Sequence, residues 1–543
     1  MKNSSKILLG FMLVMMICCV SAVSATDING TDDTLITDAI AVDDVSEIVE
    51  EVEIDDASDD VVEEQCSCTG ANSVTVNSTN YGNYFNTNGW TTTNNNLTFV
   101  GNFNAQNFGN FKIDKQIVID ASQATFTNIG FDLKTSHITL CGGTFIANEP
   151  SNINSVIYSE ASYSTIKCVK INVTAPNGAD FYAIDLINAE RATLLNNVIN
   201  YIDNYANTAN YNYVVKVKGG SYIKMVGNNI TAFLPLKDVD YSHWTPEPTI
   251  DYDLVAGVAV ESSSNFNFTG NKLDITANSS SGYYPTLDAF IIVKSDNSKI
   301  IGNKIYEQDT VSGKEDTNYL YAIDVYRCNN ILIDNNKLEL NSKGGNLTVN
   351  GTGAAYGVQL TGPHTGVVIS NNNITTANNG PNLGIYSQNT QGATNLTING
   401  NIIKVTGRAG DNPWALVSGM ELQDTYATVY NNTICVNNTA AYVANNYAYG
   451  ISYCQPTSGS HYYNIYDNNV NVINGDYAVY LMNDTSVSGD INDNTLKAFT
   501  NTTTPNTGED AIFAPTATIG INDWIFFKIF LSFHFWFKWQ LNV

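Results

Sequence analysis

At 543 residues the chain could form several domains, yet only 14% of it is charged and its formal net charge is −27. A chain this acidic repels nucleic-acid phosphates and anionic membrane surfaces, which excludes both as partners. Its polarity comes from Asn, Thr, Tyr and Ser, and Arg occurs only at Arg191, Arg327 and Arg408.

Residues 1–25 read as a secretory signal. Lys2 and Lys6 precede an apolar run from Ile7 to Val20, and Val23-Ser24-Ala25 is a small-residue cleavage site. An uncleaved anchor is the alternative, although the run is short for a membrane span. Residues 26–96 read as a disordered spacer, first acidic from Asp27 to Glu64 and then Asn/Thr-rich, with no Lys or Arg. Seven cysteines remain beyond the signal: Cys66, Cys68, Cys141, Cys168, Cys328, Cys435 and Cys454. An odd, scattered set predicts no disulfide framework, with Cys435–Cys454 an open pairing between neighbouring coils. Cys66-Ser67-Cys68 has no His or Cys partners at metal-site spacing, so neither metal nor cofactor is expected.

Structure is expected from about Leu97. Residues 97–180 hold short alternating runs such as Phe111-Lys112-Ile113 and Phe126 to Phe131, and they predict a cap with degenerate first coils. Residues 181–515 carry the dominant pattern. Ile331-Leu332-Ile333-Asp334-Asn335-Asn336-Lys337-Leu338-Glu339-Leu340 joins two alternating stretches through a turn, and about ten copies follow one another. Their bend asparagines are Asn197, Asn228, Asn271, Asn303, Asn336, Asn372, Asn401, Asn432, Asn468 and Asn494, each preceded by Gly, Asn or Asp and followed two residues later by an apolar side chain.

A second motif precedes each bend, as in Tyr182-Ala183-Ile184-Asp185-Leu186 and Tyr321-Ala322-Ile323-Asp324-Val325. In the first five copies its central residue lies a constant distance before the Asn, whereas the return from Asn to the next copy varies widely. That asymmetry predicts fixed strands with insertions thrown out on one side. Helical repeats conflict with the abundance of Asn, Gly and β-branched residues, and a propeller would need a near-constant period. The prediction is an all-β fold: a right-handed, single-stranded parallel β-helix of ten or more coils, with the bend asparagines in an inward ladder. The repeated Tyr shares strand parity with buried Ile or Val, which predicts an internal aromatic stack. Lys272, Lys304 and Lys337 share one outward position and predict a salt-bridge ladder with Asp274 and Glu339.

On these residues the chain resembles right-handed β-helix repeat proteins and, more narrowly, the Asn/Thr-rich adhesin-like surface proteins of methanogenic archaea. The resemblance covers about residues 95–515. It implies an exported surface scaffold that binds extracellular polysaccharide, glycoprotein or neighbouring cells. Many pectin- and alginate-acting enzymes share this fold. Their Asn-Thr-Asp, Gly-His-Gly, Arg-x-Lys and Asp-Pro-His signatures are absent here, and Asp-Asp pairs occur only before residue 61. No catalytic residue is therefore assigned, with a polysaccharide lyase or hydrolase as the rival and a passive wall component as a second.

Binding is sought in the insertions. Asp240, His243 and Trp244 lie in the longest, and Tyr283, Tyr284, Arg408, Asp411 and Trp414 in later ones; aromatic faces with acidic and amide neighbours suit sugars. Fifteen Asn-x-Ser/Thr sequons follow the signal, including Asn172, Asn229, Asn267, Asn346, Asn373, Asn395, Asn431 and Asn483, as glycosylation acceptors. Residues 516–543 end in the aromatic run Trp524 to Trp539, read either as an interfacial anchor or as an out-of-frame end. Membrane contact is expected only through this tail or the signal.

Overall fold

The computed structural model describes residues 68, 72–86, 89–90, 96–104, 110–206, 210–238, 249–250, 255–280, 285–310, 318–343, 354–388, 395–409, 416–424, 426–440, 447–453, 460–475, 477–482, 487–499, 506–507, 511–515 and 517–519. All fall within one compact unit, Val61–Val543. The signal, the acidic tract and the aromatic tail lie outside these residues. Among the described residues no helix is long and apolar enough to cross a membrane.

Strand pairing defines the architecture. Each strand pairs in parallel with the strand three places further along the chain, so three strands make one coil: Ile157 lies beside Ile184, Ile184 beside Val215, and Val215 beside Val258. Twelve successive coils follow this rule, from Phe131–Leu133, Thr139–Cys141 and Thr144–Asn148 to Tyr477–Leu481, Val487–Asn492 and Thr495–Phe499. The fold is a right-handed parallel β-helix. Its three strands per coil form a first face (as in Tyr182–Ile187), a short second face (Thr193–Leu195) and a third face (Val198–Ile202).

The bend between second and third faces follows from its residues. The residue before each bend Asn has positive φ in all ten copies, between 51° at Asn196 and 64° at Gly302. Gly, Asn and Asp tolerate that left-handed conformation, which explains the restriction to these three types. The Asn then turns inward and is fully buried, 2% exposed at most. Asn336 Nδ2 donates to Asn372 Oδ1 at 2.9 Å and to Ile300 O at 2.8 Å, while its Oδ1 accepts from Asn303 Nδ2 and the Asn303 backbone N–H, both at 2.9 Å. The same side-chain link runs from Asn197 to Asn494 without a gap. Each amide thus satisfies buried backbone groups that a turn inside a core would otherwise leave unpaired.

The fold begins earlier than the spacer expectation allowed. Ser73–Val76 pairs in parallel with Asn96–Phe99, and Phe85 packs into the core. Regular coils also begin before residue 181, at Phe131. They read as degenerate because Lys167-Cys168-Val169 and Cys141-Gly142-Gly143 replace the Asn bend, yet the Val169 N–H still donates to Asn197 Oδ1 at 3.1 Å. Stacked Phe99, Phe103, Phe111, Phe126, Phe131 and Phe145 fill the N-terminal coils.

Cys68 forms a disulfide with Cys141, and Cys168 is also disulfide-bonded, whereas Cys435 is free. This corrects both the absence of a disulfide framework and the Cys435–Cys454 pairing; Cys66 and Cys454 lie outside the described residues. The cysteines link an early segment to its coils, a contact that spacing alone does not encode. Of the lysine ladder only one rung forms, Lys337 Nζ to Glu339 Oε1 at 2.8 Å. Exposed Lys272 and Lys304 stay in water, where a surface pair contributes little.

Candidate functional site

The repeated tyrosines point outward, contrary to the internal stack that strand parity predicted. Two consecutive residues after each Tyr both face the core: Ala183 and Ile184, Ala322 and Ile323, Ala478 and Val479. This irregularity reverses parity across the strand. The first of the two is Ala or Gly in most copies, with Val214 after Tyr213 the exception. A Cβ on Gly384 would lie 2.4 Å from Ile403 Cγ2 and 2.6 Å from Gly419 O, and Gly357, Gly419 and Gly450 are as confined.

Two outward columns result on the first face. One runs Tyr182, Tyr213, Ala256, Asp288, Tyr321, Tyr356, Leu383, Ser418, Tyr449, Tyr477; the other runs Asp185, Lys216, Ala259, Ile291, Asp324, Gln359, Tyr386, Glu421, Ser452, Tyr480. Tyr321 stacks on Tyr356 with centroids 4.9 Å apart, Tyr356 meets Tyr386 at 5.7 Å, and Tyr449 stacks on Tyr480 at 4.5 Å.

Carboxyl groups sit among these rings. Burial raises the pKa of Asp324 to about 7, partly offset by hydrogen bonds from Gln359 and the Val325 N–H. Burial likewise raises Asp185 to about 6, partly offset by Lys216 and Lys218. Glu421 accepts a hydrogen bond from Ser452 Oγ at 2.6 Å. The strip therefore combines aromatic rings and amides with carboxyl groups, of which buried Asp185 and Asp324 are raised toward neutrality.

Two residues next to the insertions, Ile250 and Leu416, pack on this strip. Residues 239–248, 251–254, 281–284, 311–317, 344–353, 410–415 and 441–446 lie outside the described residues, and each stretch falls between a third-face strand and the next first-face strand. Ile250 packs among Tyr182, Tyr213 and Ile291, and Tyr213 Oη donates to Ile250 O at 2.9 Å. Leu416 packs with Leu383 and Tyr449.

Of the residues expected to bind, Asp240, His243, Trp244, Tyr283, Tyr284, Asp411 and Trp414 lie outside the described residues. Arg408 is exposed just after the strand Ile402–Gly407, and its N–H donates to Gly380 O at 2.8 Å. Sequon residues Asn172, Asn373, Asn395 and Asn431 are exposed, Asn229 and Asn267 half-buried, and Asn346 and Asn483 outside the described residues. Sequence reasoning missed Asp288, Tyr321, Asp324, Tyr356 and Glu421 as groups facing away from the core; the two tyrosines are half-buried and the three carboxyl side chains are buried. The small residue after Tyr182, Tyr321, Tyr356, Tyr449 and Tyr477 was the available signal.

One constellation imitates a nucleophile relay. Ser387 Oγ lies 3.3 Å and Asp424 Oδ1 2.8 Å from His364 Nε2, while His364 Nδ1 faces Gly362 O at 3.0 Å. A working relay needs hydroxyl and carboxylate on opposite ring nitrogens. Here both share one, and all three side chains are buried inside the coil corner. It is a structural post.

No protein-family model matches the chain, and no curated protein matches it. Among solved structures it is similar to the Dettilon tailspike protein, with 12% identity and a TM-score of 0.34 over 72% of this chain and 64% of that one. It is also similar to the periplasmic alginate epimerase AlgG (11% identity, TM-score 0.31, 65% of this chain and 84% of that one). A third is the Azotobacter vinelandii mannuronan C-5 epimerase AlgE6 A-module (9% identity, TM-score 0.29, 79% and 90%). The chain thus spans under two thirds of the tailspike. Function is read from this chain's own residues.

Proposed function

We propose that the chain is an exported, surface-associated, adhesin-like scaffold that binds carbohydrate without catalysis. The observation that carries this reading is the first-face strip, where stacked tyrosines alternate with carboxyl and amide groups beside Ile250 and Leu416, next to the insertions. Aromatic faces provide apolar contact for sugar rings, and flanking polar groups fix the hydroxyls. Disulfide-bonded Cys68, Cys141 and Cys168 support an oxidising, extracellular setting. The partner is extracellular polysaccharide or glycoprotein, including that of neighbouring cells, and the insertion residues Asp240, His243, Trp244, Tyr283, Tyr284, Asp411 and Trp414 would complete the surface. Binding to a polysaccharide panel should weaken at least tenfold in a Tyr321→Ala, Tyr356→Ala double variant that keeps its β-sheet circular dichroism. Unchanged binding would reject the strip.

One observation favours a second reading, a polysaccharide-active enzyme. A carboxyl with a pKa of about 7 beside Tyr321 and Tyr356 suits general acid–base work. Release of reducing ends or unsaturated products, lost in Asp324→Asn, would establish it.

A further inference from the structure

A buried amine stands at the corner where the third face meets the first. Lys237, next to last in its strand, is 2% exposed, in a chain whose other described lysines reach solvent. Its Nζ lies 3.6 Å from Asp203 Oδ2 and donates to Asn210 O at 3.1 Å. Asp203, fully buried, accepts the side-chain N–H of Asn212 on that same Oδ2, and the Tyr205 N–H on Oδ1 at 2.9 Å. Asn212 is also fully buried, and its Oδ1 accepts the Phe181 backbone N–H at 3.2 Å. One carboxylate oxygen therefore touches both an amine and a carboxamide, while a backbone N–H polarises that carboxamide's carbonyl.

We propose that Lys237, Asn212 and Asp203 form a self-processing site that closes an intramolecular isopeptide bond between Lys237 Nζ and Asn212 Cγ. Asp203 Oδ2 takes a proton from the ammonium, freeing the lone pair of Nζ. The amine adds to Cγ, and the developing charge on Oδ1 falls on the Phe181 N–H. Asp203 then returns that proton to Nδ2 as the Cγ–Nδ2 bond breaks, takes the second proton from Nζ to leave a neutral amide, and passes it to the departing ammonia, which leaves as ammonium. One C–N bond forms and one breaks, so no oxidant or co-reactant is needed. Burial lowers the pKa of Lys237, opposed by Asp203, which favours the neutral nucleophile.

The equivalent corner three coils further on serves as an internal comparison. Asp309 accepts Asn318 Nδ2 at 3.0 Å across the same nine-residue separation as Asp203 and Asn212, but it meets Ser342 Oγ at 2.8 Å where the first corner has an amine. The Asp–Asn pair is thus a corner device of this fold, and the lysine is the departure. Asn212 begins the first-face strand and Lys237 lies near the end of the third-face strand of one coil. The bond would close that coil into a covalent ring, at the point where the longest insertion departs.

Tandem mass spectrometry of the full chain after tryptic digestion tests this. The expected result is a branched peptide joining the segments around Asn212 and Lys237, lighter by one ammonia, which disappears in Lys237→Met. In Asp203→Asn, which keeps the size of the side chain but cannot shuttle the proton, the branched peptide should fall at least tenfold. Circular dichroism identifies any variant that fails to fold, in which case the wild-type digest alone decides. Separate linear peptides from folded wild type would overturn the proposal. So would loss of water in a Lys237–Asp203 link.

Discussion

Replacing Asn336 by Leu isolates what the bend asparagines contribute. The substitution keeps the volume and removes four hydrogen bonds: Nδ2 to Ile300 O and to Asn372 Oδ1, and Oδ1 from the Asn303 N–H and Asn303 Nδ2. Two partners keep other contacts, since Asn372 Oδ1 still accepts the Asn336 N–H at 2.9 Å and Asn303 Nδ2 still donates to Phe268 O at 2.8 Å. The Ile300 carbonyl stays in the parallel ladder with Leu332–Asp334, whereas the Asn303 N–H loses its partner inside the core. At about 1–3 kcal/mol for a buried group left unpaired, the loss should be about 1–3 kcal/mol. Coil arrays need not unfold in one step, so native-state hydrogen exchange is the appropriate assay. Protection should fall at the Asn303 amide and its neighbouring coils and remain near Phe131. A loss below about 1 kcal/mol would refute the view that the amide ladder stabilises the bends.

Glu307 occupies an inward position between Ile275 and Leu340, with no hydrogen-bond partner on either oxygen among the described residues, and burial holds its pKa well above the ordinary 4.5. The folded chain therefore favours the protonated acid, a contribution intact below pH 4.5 and lost as pH rises toward the folded value. Glu307→Leu should stabilise by about 1–3 kcal/mol at pH 7 and by less at pH 4, and a pH-independent difference in melting would contradict this. Reducing Cys68–Cys141 opens a span of 73 residues; loop closure sets an upper value of about 4 kcal/mol, which should appear as early melting of the Phe-rich N-terminal coils under dithiothreitol. Gly384→Ala places Cβ 2.4 Å from Ile403 Cγ2 and should cost about 1–3 kcal/mol in chemical denaturation. Gly82→Ala, with nothing within 4 Å, should be near neutral by the same assay.

The fold was legible because one local event recurs. A left-handed residue, an inward amide and an apolar side chain two places on are specified within a few residues, and repetition makes them visible. The early coils were less legible because Cys168-Val169 and Gly142-Gly143 make the same bend with other chemistry. Parity misled at Tyr321 and Tyr356. Counting by twos assumes a regular strand, whereas Ala322 and Gly357 let two successive residues turn inward. The carboxyl groups of Asp288, Asp324 and Glu421 were hidden for a further reason. Their neighbours come from coils about 30 residues away, so only the register brings them beside tyrosines. The amine–carboxylate–amide corner at Lys237 was likewise distributed over three segments.

The central claim is carbohydrate binding by the first-face strip without chemistry. The most direct measurement incubates the full chain with a panel of extracellular polysaccharides and follows bound protein and released products in the same samples. The account predicts saturable binding to at least one polymer, reduced at least tenfold in the Tyr321→Ala, Tyr356→Ala variant, with no new reducing ends or unsaturated sugars. Folded protein that binds nothing on the panel, or that releases products dependent on Asp324, would contradict it.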